Sequence, residues 1–215
     1  MPKDFREILA GGYSEGNSFQ IITGNLDALQ TCLIAAPHGG GIEPGTSEIA
    51  RTTAALSKRA FYVFEGTLES GNKKLLHVDS TGFTEPHITQ LASQTNFLIT
   101  VHGQGNRDKA IIFVGGLYRR GKDIFIQCLS NDLTPLGVEV IDATLSTEGE
   151  DIAGLSPRNL TNTGQRREGI QLEISERARR IFFPDLTKNG RNNPSPHLTV
   201  LACSMERAIS DLIAP

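Results

Sequence analysis

The chain has 215 residues, 38% hydrophobic and 21% charged, which is typical of one globular domain and excludes a largely disordered chain. Its 21 basic and 24 acidic residues give a formal net charge of -3, so the overall charge does not indicate a nucleic-acid partner. No apolar run approaches the ~20 residues that cross a bilayer, and no apolar segment of a secretory signal is visible at the amino terminus. We therefore expect one domain over residues 1–215, without nucleic-acid or membrane partners.

Short apolar runs alternate with amphipathic stretches along the chain. The apolar runs predict strands over residues 19–23, 31–36, 60–64, 97–101, 111–114, 137–141 and 169–174. The amphipathic stretches predict helices over residues 46–58, 87–94, 118–131 and 196–213. Because the strands interleave with helices and several are apolar throughout, we expect an α/β domain with an open, mixed and mostly parallel sheet flanked by helices.

An unusual segment follows the strand predicted at 31–36. It reads Pro-His-Gly-Gly-Gly-Ile-Glu-Pro-Gly, with the histidine at position 38 and the glutamate at position 43. Successive glycines allow sharp turns of the backbone, so a loop here can bring His38 and Glu43 to one point. Imidazole and carboxylate are both zinc ligands. The alternative is that the glycines hold a phosphate, although no P-loop lysine follows them.

A second histidine, His102, directly follows the strand predicted at 97–101. Sites in open α/β sheets form outside the carboxyl ends of the strands, so we expect His102 to meet His38 there. A catalytic zinc usually has three protein ligands and one open position. His38, Glu43 and His102 are therefore the predicted ligands of one zinc ion per chain. The alternative for each histidine is an ordinary core or loop residue.

The strand predicted at 169–174 alternates polar and apolar residues, which places Gln171 and Glu173 on one face. A carboxylate in an interior strand is unfavourable unless it meets a metal, a cation or hydrogen bonds. Glu173 is therefore predicted to act as general base and acid beside the metal. Its alternative role is a structural ion pair with Arg177 or Arg179.

Other polar residues are candidates for substrate binding. His77 and Asp79 lie two apart in a segment predicted as a strand over 75–80, so they share a face. We expect His77 to contact the substrate or a metal ligand, and the alternative is that both residues are metal ligands themselves. Arginine binds carboxylates in a bidentate manner. The loop before residue 169 therefore predicts an anchor for an acidic substrate, and the alternative is a solvated charged loop. The candidates in this loop are Arg158, Asn162, Arg166 and Arg167.

Taken together, these segments resemble the phage and bacillar poly-γ-glutamate hydrolases over most of the chain. The His-Gly-Gly-Gly-Ile-Glu and Gly-Ile-Gln-Leu-Glu-Ile-Ser motifs are the most specific. Val78 and Thr84 depart from the family pattern, as does Thr163, which stands where an arginine is expected; these departures leave the substrate open. The segments that carry the resemblance are 36–50, 64–66, 76–80, 83–86, 101–103, 114–116, 159–162 and 169–175.

The resemblance implies a reduced zinc-carboxypeptidase-like core with His38, Glu43 and His102 as zinc ligands and Glu173 as the catalytic carboxylate. It implies cleavage of the γ-amide bonds of poly-γ-glutamate, a capsule polymer that a phage removes to reach its host. We expect a monomer acting on an acidic polymer or a small acidic amide, in the cytoplasm or after release on host lysis. The alternatives are an amidohydrolase for another acidic amide or a cell-wall peptide, and a non-enzymatic phage metal-binding protein.

Overall fold

One seven-stranded sheet runs through the protein, whose computed structural model describes residues 1–214. The strands are β1 (Phe19–Gly24), β2 (Cys32–Gly40), β3 (Ala60–Gly66), β4 (Phe97–Gln104), β5 (Ile111–Gly115), β6 (Glu139–Asp142) and β7 (Ile170–Ser175). They lie in the order β1-β3-β2-β4-β7-β5-β6. The pairs β1–β3 and β5–β7 are antiparallel, and every other neighbouring pair is parallel. The prediction of an open, mixed and mostly parallel sheet is therefore confirmed.

Helices cover both faces of this sheet. They are α1 (Phe5–Ala10), α2 (Thr46–Ser57), α3 (Asn72–Leu76), α4 (Pro86–Gln94), α5 (Arg119–Leu133), α6 (Glu176–Phe182), α7 (Lys188–Asn192) and α8 (Pro196–Ile213). Side chains of α2, α5, α6 and α8 form one apolar core with one face of the sheet. Side chains of α1, α3 and α4 form a second core with the other face. Both faces of the central strands are buried, which explains their continuous apolar sequences. Within residues 1–214, no helix is both long and apolar enough to span a membrane.

The predicted and observed elements differ in the short segments. The strand predicted over 75–80 was wrong, because α3 ends at Leu76 and residues 77–80 form no strand. Leu76 and Val78 are both buried, and buried residues two apart are also the pattern of a strand. Here the pattern arises because the extended residue His77 follows the end of α3. The helices α1, α3, α6 and α7 were not predicted, since none exceeds seven residues and helical periodicity needs a longer window.

A bulge in β2 determines the direction of the His38 side chain. The register of β2 against β3 shifts between Ala36 and Gly39, so that Pro37 and His38 together stand opposite one residue. Proline has no N–H to give to the ladder, and a bulge is where a central strand tolerates it. Simple alternation would turn His38 towards the core that contains Ala36. Instead its ring Nε2 lies 2.7 Å from the carbonyl oxygen of Val78, a residue of the opposite core.

The register of β4 and β7 places two candidate residues side by side. The strands run parallel, and His102 is paired with Glu173. Paired residues in neighbouring strands project from the same face. The preceding residues, Val101 and Leu172, belong to the core with α2, α5 and α8. His102 and Glu173 therefore emerge on the opposite face, near the carboxyl ends of both strands.

A buried arginine joins three segments at this end of the sheet. Arg179, in α6, is 4% exposed. Its Nε donates to Ile174 O at 3.2 Å, its Nη1 to Pro44 O at 2.6 Å and its Nη2 to Gln104 O at 3.0 Å. One charged group thus satisfies carbonyls from β7, from the loop after β2 and from the end of β4, which sets the relative positions of these segments.

The three carbonyls belong to near neighbours of the candidate residues. They follow Glu173 and Glu43 by one residue and His102 by two. The guanidinium also lies against Gly103, where a Cβ atom would come within 2.7 Å of the Arg179 Cζ atom. The position therefore requires glycine, since any side chain would displace the arginine.

Replacing Arg179 tests whether these three bonds hold the segments together. In Arg179→Lys, a single ammonium group cannot reach three separated carbonyls, so we expect the free energy of unfolding to fall by about 2–4 kcal/mol. Urea denaturation measures the loss. The matched control is Arg177→Lys, an exposed arginine in the same helix, which we expect to change stability by no more than about 0.5 kcal/mol. Equal stabilities of the two variants would contradict this role of Arg179.

Candidate metal centre

The carboxylate of Glu43 is buried at the centre of a histidine cluster. Glu43 is 6% exposed and lies in the loop between β2 and α2. Its Oε1 atom is 3.2 Å from His38 Nδ1 and 3.4 Å from His77 Nε2, and its Oε2 atom is 3.6 Å from His102 Nδ1. The backbone N–H of Gly103 donates to Oε2 at 2.9 Å. Three separate stretches of chain therefore converge on one buried charge.

The arrangement of His38, Glu43 and His102 fits a zinc ion. The Nδ1 atoms of the two histidines face each other at 3.1 Å. Each also faces one oxygen of the Glu43 carboxylate, His38 Nδ1 at 3.2 Å from Oε1 and His102 Nδ1 at 3.6 Å from Oε2. A tetrahedral zinc with ligands at about 2.0–2.1 Å has ligand-to-ligand separations of about 3.3–3.4 Å. Two imidazoles and a carboxylate are also a donor set of catalytic zinc sites. The three residues suit the metal by chemistry and by spacing.

Contacts on the outer side of the cluster orient the two imidazole rings. His38 Nε2 lies 2.7 Å from Val78 O, so this nitrogen carries a proton and Nδ1 faces the cluster. His102 Nε2 lies 3.5 Å from Ser80 Oγ. Metal-binding histidines usually have such a partner on their second nitrogen. Both rings therefore turn an Nδ1 atom towards Glu43.

His77 joins the cluster from the segment that follows α3. Its ring centroid lies 4.1 Å from that of His38, and its ligand atom falls within 4.8 Å of those of His38 and Glu43. It therefore competes with His102 for the third ligand position. Within residues 1–214 the buried His77 Nδ1 atom has no hydrogen-bond partner, whereas the outer nitrogens of His38 and His102 have one. Its side chain is 14% exposed, against 3% for His102.

The surroundings of Glu43 keep it ionised in spite of its burial. Burial by itself raises the pKa of this carboxyl, because the charged form loses its hydration. The charge of His38 and the hydrogen bonds of His102, His38 and His77 outweigh burial and hold the pKa of Glu43 well below its ordinary value. The site therefore presents a negative charge that suits a cation.

Glu173 reaches the same region from β7. Its Oε1 atom accepts a hydrogen bond from Gln171 Nε2 at 3.0 Å. Within residues 1–214 it forms no ion pair with Arg177 or Arg179, the structural alternative for its role. Burial, followed by repulsion from Glu43, raises the pKa of Glu173 well above its ordinary value. A carboxyl with a raised pKa takes up a proton more readily, which suits a group that accepts a proton and returns it.

A cavity of about 760 Å³ opens beside the cluster. The candidate ligands, the catalytic candidate and the glutamine next to it all line this cavity: His38, Glu43, His77, His102, Gln171 and Glu173. A small number of converging polar groups in a concave site is the usual form of a substrate pocket. The cavity is large enough for part of a chain-like substrate as well as a metal.

The predicted arginine anchor is divided between two places. Arg158 is exposed. The next residue in the chain, Asn159, lines the cavity, so Arg158 lies beside it. Asn162 is buried, and its amide donates to Gly154 O at 2.8 Å and Ser156 O at 2.9 Å. Asn162 therefore holds the shape of this loop, and the structure shows it in a structural position rather than at the cavity.

Arg166 and Arg167 lie towards the other end of the sheet. The Arg166 Cζ atom is 5.9 Å from the ring centroids of Phe97 and Tyr118, and Phe97 is the first residue of β4. Residues that immediately precede a parallel strand stand at its amino end, whereas the cluster is at the carboxyl ends. The expectation of one anchor loop is corrected accordingly, since neither arginine lines the cavity.

Three residues without a predicted role are also part of this region. Gln171 orients Glu173, and the alternation of the strand was the signal that could have identified it. Lys73, in α3, lines the cavity and has no local sequence signal. Arg179 was considered only as an ion-pair partner of Glu173, because its contacts with carbonyls distant in sequence depend on the fold.

Comparisons of the sequence with known proteins give consistent results. The family model described as Poly-gamma-glutamate hydrolase matches residues 3–202. The SPbeta prophage-derived UPF0714 protein YoqZ of Bacillus subtilis (strain 168) is 40% identical over 176 residues, which are 81% of this chain and 59% of that protein. UPF0714 protein YndL of the same organism is 36% identical over 152 residues, 70% of this chain and 56% of that protein. The chain thus spans about three fifths of the length of these curated relatives.

Solved structures show the same relationship. A bacteriophage poly-gamma-glutamate hydrolase superposes with a TM-score of 0.84 at 28% identity, covering 95% of this chain and 94% of that one. The zinc-free apo form of YndL superposes with a TM-score of 0.84 at 27% sequence identity. The superposition covers 99% of this chain and 98% of that chain. A putative carboxypeptidase from Burkholderia mallei ATCC 23344 superposes with a TM-score of 0.51 at 14% sequence identity, covering 95% of this chain and 66% of that chain. This similarity concerns the fold alone. The fold is carboxypeptidase-like, and the chain belongs to the poly-gamma-glutamate hydrolase family.

Proposed function

We propose that this protein is a zinc-dependent hydrolase that cleaves the γ-glutamyl amide bonds of poly-γ-glutamate. The observation that carries the proposal is the set of His38, Glu43 and His102, buried beside the carboxylate of Glu173 in one cavity. Membership of the family supports the substrate. The relative whose apo form is described as zinc-free supports zinc as the metal.

His38, Glu43 and His102 would hold the zinc ion. When bound, zinc supplies a Lewis acid that polarises the scissile carbonyl and lowers the pKa of water to about 7. A structural zinc has four protein ligands, whereas a catalytic one keeps a position open. Three ligands at the edge of a substrate-sized cavity suit the catalytic kind, which argues against a non-enzymatic metal-binding protein.

Glu173 would move the proton. Its carboxylate takes a proton from the attacking water and gives it to the leaving amine, so that the amide becomes a carboxylate and a free amine. The hydrogen bond from Gln171 engages Oε1 and leaves Oε2 for the proton. Burial raises the pKa of Glu173 and thereby makes the protonated form accessible for the second transfer.

His77 would contact the substrate. It is the most exposed of the three clustered histidines, and it lines the cavity. Arg158, beside the cavity, is a second candidate contact. Since the chain brings every residue of this site together by itself, a monomer is sufficient for the reaction.

We further propose that the biological role is degradation of a poly-γ-glutamate capsule during phage infection. One relative is prophage-derived and one solved relative is from a bacteriophage. Such a protein would be made in the host cytoplasm and released on lysis.

The reaction is tested with purified poly-γ-glutamate and measurement of its chain length. We expect shortening that stops when a chelator removes the metal and resumes when zinc is added back, because the metal supplies the Lewis acid. A metal-loaded sample that leaves the polymer intact would contradict the proposed substrate and favour another acidic amide.

The role of Glu173 is tested with Glu173→Gln. This variant keeps the shape of the side chain but cannot take a proton, so we expect turnover to fall by about 10²–10⁴-fold with unchanged zinc content. Elemental analysis and a chain-length assay provide the two measurements. Substantial activity in a zinc-loaded variant would show that another group moves the proton.

The ligand set is tested by comparing three histidine variants. We expect His38→Ala and His102→Ala to lose bound zinc, because each removes one of three ligands. The matched control is His77→Ala, which we expect to retain zinc while the KM for the polymer rises. Loss of zinc from the His77 variant and not from the His102 variant would reassign the third ligand to His77.

A further inference from the structure

A second cavity adjoins the candidate metal centre. It has a volume of about 440 Å³ and shares Glu43, Lys73, Gly103 and Gly105 with the larger cavity. Because they share these four residues, the two cavities are neighbours, and together we call them the cleft.

Three positively charged side chains converge on the second cavity from distant parts of the chain. They are Lys73 in α3, Arg107 between β4 and β5, and Arg180 in α6, and we call them the basic rim. Within residues 1–214 the only carboxylate that pairs with them is that of Glu176, which binds both arginines. Lys73 forms no ion pair there. The rim therefore has surplus positive charge, although the whole chain has a net charge of -3.

The remaining polar groups of this cavity are already satisfied within the protein. Arg179 donates to three carbonyls, and Glu43 is held by histidines and the Gly103 N–H. The lining also includes three apolar residues, Ile42, Pro44 and Leu186. The surface offered to a ligand is thus a set of cations beside an apolar wall.

The part of the larger cavity that the smaller cavity does not share has three exposed carboxylates. Asp79, Glu150 and Asp151 line it and are exposed. None of them forms an ion pair within residues 1–214. We call these residues the acidic rim. The candidate metal centre lies between a rim that attracts anions and one that repels them.

We infer that the second cavity is a binding site for the carboxylates of the substrate on one side of the bond to be cleaved. This inference rests on the proposed function. A γ-linked glutamyl chain has one carboxylate per residue, separated by short aliphatic segments, which matches cations beside an apolar wall. The acidic rim disfavours the same groups, so the polymer is bound asymmetrically about the metal centre.

Binding is measured without turnover, in the full-length zinc-loaded Glu173→Gln protein, by anisotropy of fluorescently labelled poly-γ-glutamate. We expect Lys73→Glu and Arg107→Glu each to weaken binding by about ten-fold at low salt, and the salt dependence to become shallower. The matched control is Arg177→Glu, which makes the same change of charge on an exposed arginine outside both cavities. We expect its effect to be less than about two-fold. Asp151→Asn, at the acidic rim, is expected to tighten binding.

The outcomes separate this inference from the proposed function. Equal weakening by Arg177→Glu and Arg107→Glu would overturn the inference, since only net charge would then matter. Cleavage of poly-γ-glutamate by Lys73→Glu and Arg107→Glu variants with the wild-type KM would also overturn it and leave the function standing. If the wild-type protein binds the labelled polymer through the basic rim but does not shorten it, the inference stands and the proposed reaction fails.

Discussion

The site depends on the burial of one carboxylate. Glu43 loses nearly all contact with water, and a buried charge is unfavourable unless opposite charge and hydrogen bonds replace its hydration. His38, His77, His102 and the Gly103 N–H replace it from three separate stretches of chain. The bulge at Pro37 and the glycines around the cluster serve this requirement, because they let backbone and imidazole rings approach the carboxylate closely.

Arg179 holds these stretches of chain at a fixed separation from one another. A metal site needs its ligands in place before the metal binds, and loops alone do not supply that rigidity. Carbonyls next to Glu43 and Glu173, and one two residues after His102, are bound by one planar group. The site therefore lies on strand ends that a buried cation holds together. Because the Arg179 guanidinium donates to these carbonyls, it is not available to the substrate.

The electrostatic pattern of the cleft follows from the same topology. The candidate metal centre lies at the carboxyl ends of β2, β4 and β7. α3, α6 and the loop after β4 bring cations to the smaller cavity, whereas the segment around Glu150 brings carboxylates to the larger one. A chain that is acidic overall can bind a polyanion in this way, because binding depends on the local potential and not on the net charge.

The fold class, the long elements and the four residues proposed for zinc and catalysis could all be predicted from local sequence patterns. Apolar runs identify buried strands, and polar residues such as His38, His102 and Glu173 stand out where those runs end or alternate. The short helices and the true conformation of 77–80 were decided by tertiary packing, because too few residues are involved for periodicity to be informative. Contacts between distant elements depend on tertiary packing in the same way. They place His77 in the cluster and Arg166 outside it. They also bring Lys73, Arg107 and Arg180 to one cavity. The spacing of polar and apolar residues within one helix or strand predicts which face of that element a side chain lies on. Distances between elements, in contrast, are set by the packing of the whole chain.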